Sequence, residues 1–273
     1  MTADHDQDPS QTGPVEPDRY RAPALDKGLD ILELLAEQAH GLTRAEIVKA
    51  MGRGPSEIYR MLERLVARHY VVRSAQGDRY ALGMKLFVLA HRHPPVDRLV
   101  AHARPEMEAF AKAAQQSCHL GIYERGHVLV VSQVSSPGQW GLSIRLGARV
   151  GLLDTGSGQV LRAFQPAARV EEMLAELAAV TGQDHGLKTP EKPLIADTRA
   201  RGYWQGPSQQ AVGVEDISVP ILDAQGHASA VLTCPFVRSP THQTSSQASP
   251  QTSPDIEATR ALLQRTATRL SMA

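Results

Sequence analysis

The chain has 273 residues, enough for two domains, and its composition is 42% hydrophobic but only 4% aromatic, so its cores must be mostly aliphatic. It has no stretch near the ~20 apolar residues of a membrane helix and no N-terminal secretory signal. Its two cysteines, Cys118 and Cys234, lie far apart and form neither a disulfide framework nor a zinc-binding pattern. These features favour a cytoplasmic location. The formal net charge is zero, but residues 1–20 hold five acids and one base whereas residues 21–93 hold twelve basic and eight acidic residues, and such a local basic excess suits contact with phosphates.

The N-terminal part is predicted to begin with a disordered tail and two helices. Residues 1–20 are polar, acidic and proline-bearing, which is typical of disorder. Thr43 followed by Glu46 is a capping box, so a short second helix is expected to begin there. The first helix begins at Ala24, and its apolar face is predicted to consist of Leu25, Leu29, Leu32 and Leu35–Ala36.

A third helix is predicted after a turn at Gly52, Gly54 and Pro55. Residues 70–74 and 79–82, joined by a turn at 76–78, predict a small β-hairpin. Two helices, a short turn, a third helix and a hairpin, all within residues 21–83, follow the order of a winged helix-turn-helix, which is a DNA-binding fold. The third helix runs from about Ser56 to His69, and its apolar face is Ile58, Met61, Leu62, Leu65 and Val66.

The polar face of the third helix is predicted to enter a DNA groove. Near the helix start, Arg60 is expected to bind guanine or phosphate, Glu57 to accept a hydrogen bond from cytosine, and Tyr59 to contact a phosphate or a thymine methyl group. A solvated amphipathic helix would show a similar face, and only the order of the surrounding elements favours DNA. With backbone contacts from the second helix and the wing included, the predicted DNA-binding residues are Thr43, Arg44, Pro55, Ser56, Glu57, Tyr59, Arg60, Arg64, Arg73 and Arg79.

Residues 84–94 are predicted to form a linker helix, and residues 95–273 a second domain. Its strands are expected in two hairpins, at 118–134 and 215–236, with residues 140–146 continuing the first. Residues 238–253 are rich in Ser, Gln, Thr and Pro and predict a flexible connection. Helices are expected at residues 96–115, 160–164, 168–180, 189–202 and 254–271. The predicted fold class is therefore α+β with a mainly antiparallel sheet.

The tetrapeptide Asp154-Thr155-Gly156-Ser157 matches the catalytic signature of aspartic proteases. That chemistry requires two carboxylates that share a proton, and the chain has no second copy of the motif, so protease activity is disfavoured. The plainest structural interpretation is a tight glycine turn that opens a helix. Hydroxyls and backbone N–H groups at a helix start also form an anion-binding site, which is the interpretation we favour.

Taken in order, these segments resemble the IclR family of bacterial transcription regulators over residues 24–273. In the first domain the resemblance rests on GLTRAEIVKAMG, SEIYRMLERLVARHYVVR and RYALG, which begin at residues 41, 56 and 79. In the second it rests on ARPEME, GARVGLLDTGSGQVLRAF and GVEDISVPILDAQGHASAVL, which begin at residues 103, 147 and 213.

The resemblance implies a dimer formed through the N-terminal domains, often assembled into tetramers. It also implies a GAF-like C-terminal domain that binds a small metabolite, often an organic or aromatic acid. The chain departs from the family pattern at Leu153, Asp154, Gln159 and Asp216. An ionised Asp216 would repel an acid, so it must turn away, pair with an arginine such as Arg145, or accept a hydrogen bond from a hydroxy- or amino-acid-like effector. The effector-binding residues that the resemblance implies are Leu153, Asp154, Thr155, Gly156, Ser157, Asp216, Ile217 and Cys234.

These observations predict a sequence-specific DNA-binding regulator whose operator binding is modulated by a small-molecule effector. Its expected partners are a pseudo-palindromic DNA duplex, the effector and further copies of the chain, with no cofactor, metal ion or catalytic residue. Two alternatives stay open: a regulator whose C-terminal domain only oligomerises, and a hydrolase that acts through the Asp154 loop. The sequence does not distinguish a repressor from an activator.

Overall fold

The structure is a computed structural model that describes residues 22–75, 78–90, 94–138, 141–183, 191–238 and 255–272, apart from the side chains of residues 94–95 and 191–193. The chain divides into two compact units, residues 1–93 and residues 94–273. The predicted tail at 1–20 and nearly all of the predicted connection at 238–253 lie outside the described residues. In the described part of the chain, none of the helices is both long and apolar enough to cross a membrane.

The N-terminal unit is a winged helix-turn-helix. Helix α2 begins at the predicted capping box, in which Thr43 accepts from the Glu46 N–H while the Glu46 carboxylate accepts from the Thr43 N–H. The described elements are α1 (Pro23–Ala36), β1 (Leu42–Thr43), α2 (Arg44–Met51), α3 (Pro55–Ala67), β2 (Val71–Arg73), β3 (Arg79–Leu82) and α4 (Lys85–Ala90). The strands form an antiparallel sheet in the order β1-β3-β2, of which β1 was not predicted.

The apolar face predicted for α1 is partly wrong. The helix buries Ile31 and Leu35, whereas Leu25 and Leu29 are 61% and 47% exposed. At 100° per residue, Leu29 lies roughly 160° around the helix from Ile31, so the two cannot share a face. The core of this unit consists of Ile31, Leu35, Ile47, Ile58, Leu62, Val71 and Tyr80. In α3 the predicted face is correct, because Ile58 and Leu62 are fully buried.

The C-terminal unit is an antiparallel sheet with helices on both faces. Its strands are β4 (Cys118–Glu124), β5 (His127–Val134), β6 (Arg149–Gly151), β7 (Trp204–Pro207), β8 (Val214–Leu222) and β9 (Ala228–Val237), in the order β6-β5-β4-β9-β8-β7. Its helices are α5 (Pro94–Ala114), α6 (Gly156–Ala163), α7 (Ala167–Thr181), α8 (Glu191–Arg201) and α9 (Ile256–Ser271). This architecture confirms the predicted α+β class and both predicted hairpins.

Two expectations about this sheet are wrong. The segment predicted to extend the first hairpin forms no strand over the described residues 141–146. The strand that pairs with the other edge of β5, away from β4, is Arg149–Gly151 instead. Helix α6 begins at Gly156, four residues earlier than expected. The earlier start is possible because Thr155 caps the helix, its hydroxyl accepting from the Gly158 N–H at 3.2 Å.

The alternation of side chains along the strands separates two environments. On one face, Ile217, Val219 and Ile221 of β8 join residues of β4, β9, α5 and α9 in an apolar core. On the other face, polar residues of the same strands face α6, and a second apolar core lies beside them under α6 and α7. Because successive strand residues point to opposite faces, Asp216 and Ser218 belong to the α6 side.

Candidate DNA-binding surface and ligand cavity

Helix α3 presents a polar face to solvent at its N-terminal half. Pro55 occupies the first helical turn, where its missing N–H costs nothing and its fixed φ suits the helix. With Ile58 and Leu62 buried, the exposed residues of this helix include five of the predicted DNA contacts: Pro55, Ser56, Tyr59, Arg60 and Arg64. This arrangement places two cationic side chains, Arg60 and Arg64, on the exposed face of α3, one helical turn apart.

The start of α2 is joined to the α3 face. The Arg44 guanidinium lies over the Tyr59 ring, 5.5 Å from its centroid, so the cation is held beside the exposed face of α3. Thr43 is the N-cap of α2, and its hydroxyl accepts within the capping box. Arg53 is exposed in the turn between the two helices, near residues of α1, and is a cation that the sequence reasoning did not include. The only feature of the sequence that could have drawn attention to Arg53 was its position in the Gly52–Gly54 turn.

Glu57 is engaged within the protein. Its carboxylate forms an ion pair with the Lys27 ammonium of α1. The hydrogen bond from Lys27 lowers the pKa of Glu57, assisted by the charges of Lys27, Arg53 and Arg60 and opposed by partial burial. A carboxylate held in this way couples α1 to α3, and this geometry argues against its expected role as an acceptor for cytosine.

The wing arginines differ in how they are held. Arg79 donates to the Gly41 carbonyl at 2.8 Å and lies 3.6 Å from the Glu46 carboxylate, so it ties β3 to the start of α2. Arg73 is exposed at the end of β2, with its guanidinium 5.6 Å from the centroid of the Tyr80 ring. Arg73 is therefore the better placed of the two for a phosphate, whereas Arg79 positions the wing.

A cavity of about 200 Å³ opens on the α6 face of the C-terminal sheet. It combines apolar side chains with hydroxyls, one amide, one imidazole and one carboxylate. The lining residues are His119, Leu142, Ser143, Ile144, Val150, Thr155, Ser157, Ser208, Gln210, Ala211, Asp216, Thr233 and Pro235. Three of the eight residues expected at an effector site, Thr155, Ser157 and Asp216, are among them.

A chain of hydrogen-bonded hydroxyls crosses the cavity floor. Thr233 of β9 lies 2.8 Å from Ser157 of α6 and 2.8 Å from Ser218 of β8, measured between side-chain oxygens. All three residues are buried, at 3% exposure or less. Thr155 beside them donates to the Gly151 carbonyl at 2.6 Å while it caps α6. These bonds fix α6 against the sheet, so the cavity is largely preformed.

The charged and titratable groups of the cavity are Asp216 and His119. Burial raises the pKa of Asp216, although a hydrogen bond from Ser208 acts in the opposite direction. Burial lowers the pKa of His119 from 6.5 to about 4, so its imidazole is neutral at pH 7. His119 lies on β4. It is 8% exposed and directly opposite Thr233, which places it on the face of the sheet that lines the cavity.

Five residues expected at an effector site do not line this cavity. Ile217 and Cys234 are paired across β8 and β9 and are fully buried in the core on the opposite face of the sheet. Their placement corrects the expectation, because they neighbour lining residues in sequence and therefore point away from them. Asp154 is exposed and packs against Gly151, while Leu153 contacts the second core.

Gly156, the fifth of these residues, allows close packing between α6 and β7. A Cβ atom at this position would overlap the ring of Trp204 and approach the Ser218 hydroxyl at 2.8 Å. Only glycine therefore permits α6 to lie this close to the sheet. Gly156 shapes the cavity through this contact rather than by lining it.

The exposed α3 face and the fold of the N-terminal unit define a helix-turn-helix DNA-binding protein with a second domain that carries a cavity. Two family descriptions match the chain: "IclR helix-turn-helix domain" over residues 24–75 and "Bacterial transcriptional regulator IclR C-terminal" over residues 96–253. Together they cover most of the chain, which belongs to the IclR family of bacterial transcriptional regulators.

Individual relatives agree with this assignment. The chain is 30% identical over 209 residues to the HTH-type transcriptional regulator BhcR of Paracoccus denitrificans, covering 76% of this chain and 75% of that protein. It is 29% identical over 202 residues to the glycerol operon regulatory protein of Streptomyces coelicolor, covering 73% and 79%. An IclR homologue of Microbacterium hydrocarbonoxydans, solved in complex with 4-hydroxybenzoate, has the same fold with a TM-score of 0.69 at 21% identity, covering 91% and 98%. Both of these curated relatives are named as regulators, in agreement with the family descriptions.

Proposed function

We propose that this regulator binds a specific DNA operator through α3 and that a small molecule in the cavity under α6 changes its operator affinity. The observation that carries the proposal is the combination of the exposed basic α3 face with a preformed polar cavity in the second unit. A regulator of chromosomal genes acts where the DNA is, so we place the protein in the bacterial cytoplasm.

Helix α3 would enter the major groove by its N-terminal half, because residues near the start of a recognition helix reach base edges. Arg60 is the best candidate for reading guanine, since it is exposed and arginine bonds guanine in a bidentate fashion. Ser56, Tyr59 and Arg64 lie on the same exposed helix surface. Arg44 and Arg73 would contact phosphates and set the orientation on the duplex.

We infer that two or four copies of the chain bind one operator together. The N-terminal unit exposes large apolar side chains on two of its helices, which is typical of a protein interface. A two-fold dimer would place two α3 helices one helical turn apart, about 34 Å, and would select a pseudo-palindrome. The exposed apolar residues are Leu25 and Leu29 of α1, Phe87, Val88 and Leu89 of α4, and Met84 next to α4.

The cavity supports a small organic ligand rather than a macromolecule. Its volume of about 200 Å³ lies below the range of drug-sized sites, so it suits a metabolite of few heavy atoms. Complex formation between the Microbacterium homologue and 4-hydroxybenzoate supports ligand binding in this fold. Its low identity to this chain carries no information about the chemical class of the ligand here.

Selection from random duplex DNA tests the DNA part of the proposal. The full-length protein should enrich one pseudo-palindromic sequence, and fluorescence anisotropy should give it an affinity at least 10³-fold above that for random duplex, as is usual for specific binding. The affinities of Arg60→Ala and Arg64→Ala for the enriched sequence are then compared, because both substitutions lie on the same helix face. Failure to enrich any sequence would contradict the proposed role of α3.

A further inference from the structure

The cavity contains a carboxylate whose hydrogen-bonding capacity is mostly unused by the protein. Asp216 lies between Pro235 of β9 and Gly206 of β7, its directly opposite neighbours in the sheet. Neither neighbour has a polar side chain, and Pro235 has no N–H to donate. Among the described residues, the hydrogen bond from Ser208 is the one that the Asp216 carboxylate receives. An ionised carboxylate has about four acceptor positions, so most of them have no partner among the described residues.

An ionised Asp216 beside a ligand could also turn away from the cavity or pair with an arginine. Neither arrangement occurs among the described residues. Asp216 does not turn away, because it lines the cavity. Arg145 does not compensate its charge within the cavity, since this side chain is exposed and is not among the lining residues. The groups around the carboxylate are hydroxyls, the neutral His119 ring and the Gln210 amide, and among the described lining residues none is Lys or Arg.

The start of α6 lies close to the cavity and would favour an anionic ligand, because a helix N-terminus attracts negative charge. Its first turn is already used in part: the Thr155 hydroxyl accepts from the Gly158 N–H, and the Thr155 carbonyl accepts from the Gln159 N–H. The helix contributes roughly half a positive charge, which is less than the unit negative charge that Asp216 carries in its ionised form. An anionic ligand would therefore meet net repulsion in this cavity.

We infer that the effector carries no negative charge and donates hydrogen bonds to Asp216 from hydroxyl or amino groups, as an alcohol, a polyol or an amine does. This inference rests on the proposed ligand-binding function of the cavity. Such a ligand satisfies the carboxylate with O–H or N–H donors, and its other polar groups can bond to His119 and the cavity hydroxyls. Apolar side chains such as Ile144 and Val150 contact its carbon skeleton.

Two sets of three compounds, each set on one carbon skeleton, test the inference by calorimetry and ligand-observed NMR on the full-length protein. The first set is 4-hydroxybenzyl alcohol, 4-hydroxybenzylamine and 4-hydroxybenzoate; the second is glycerol, 3-aminopropane-1,2-diol and glycerate. We expect the alcohol or the amine to bind at least tenfold more tightly than the acid in at least one set. The relative affinities of alcohol and amine then identify which donor the site prefers.

The variant Asp216→Asn removes the charge and supplies a donor, so the advantage over the acid should fall below threefold. Because asparagine has nearly the same size and shape as aspartate, the amide should not impair folding, which circular dichroism will check. Ala211→Phe, which fills the cavity from its loop, should abolish binding. Val212→Phe is the matched control, because Val212 is the next residue, is fully exposed and does not line the cavity.

Tighter binding of the acid in either set, or an advantage that persists in Asp216→Asn, would overturn the inference. If the acid binds more tightly than the alcohol and the amine of its set and also changes DNA affinity, the inference fails while the proposed function stands. If none of the six compounds binds at 20 mM, the assigned donor chemistry is wrong. If a compound binds but DNA affinity never changes, the proposed function fails instead.

Discussion

The neutral imidazole of His119 predicts a specific acid sensitivity of folding. The pKa of His119 is lowered from 6.5 to about 4 by burial, so between these pH values the unfolded chain binds a proton that the folded chain excludes. Lower pH then favours the unfolded state, and stability that is complete above pH 6.5 is lost progressively as pH falls toward 4. At about 1.4 kcal/mol per pKa unit, this effect lowers the free energy of unfolding by about 3 kcal/mol in total. About 1.4 kcal/mol of that decrease occurs between pH 7.5 and pH 5.5.

Urea unfolding of the wild type and of His119→Gln at pH 7.5 and 5.5 measures this effect. Between the two pH values, the free energy of unfolding should fall by about 1.4 kcal/mol more in the wild type than in the variant, since glutamine does not titrate. Asp216 lines the same cavity and acts in the opposite direction: its raised pKa means that the folded chain binds more protons there. The comparison should therefore be repeated in Asp216→Asn. Equal losses in the wild type and the His119→Gln variant in both backgrounds would refute the argument.

The hydroxyl chain, the recognition helix and the α6 contact give three further predictions. Thr233→Val removes both hydrogen bonds of the buried hydroxyl chain and should lower the free energy of unfolding by about 2 kcal/mol, while Thr233→Ser keeps the hydroxyl and should cost less; equal costs would contradict this. Arg60→Ala should weaken binding to the selected operator by about 1–3 kcal/mol, and an equal loss on random duplex would reassign Arg60 to a phosphate. Gly156→Ala should destabilise by about 1–3 kcal/mol through its clash with Trp204, whereas Gly28→Ala, which meets open space in α1, should be neutral or stabilising in thermal unfolding; stable Gly156→Ala protein would refute the close contact.

The helix-turn-helix could be predicted because its signals are local. The capping box at Thr43 and the turn before Pro55 fix helix starts within a few residues, and the α3 periodicity selects Ile58 and Leu62 correctly. The pairing of Glu57 with Lys27 could not be predicted, because Lys27 is thirty residues earlier on α1. The α1 face was misjudged because leucine spacing alone does not show which side of a helix meets a neighbour.

The cavity was only partly predictable, since it depends on how distant strands pair. Thr155 and Ser157 stood out through their turn and hydroxyls, and Asp216 through the resemblance. His119 and Thr233 face the cavity because β4 and β9 align them directly, although more than one hundred residues separate them. Neighbouring residues on a strand point to opposite faces, so Ile217 and Asp216 could not both line the cavity once they lay next to each other on one predicted strand.

The most direct test of the account is the reciprocal coupling between ligand and operator. The compound of the six probes that binds most tightly should change the operator Kd at least fivefold at saturation in the wild type and in Val212→Phe, but less than twofold in Ala211→Phe. By linkage, the selected operator should change the Kd of that compound by the same factor. An operator Kd that stays constant while calorimetry shows the cavity filled would contradict the claim that this protein is a ligand-responsive regulator.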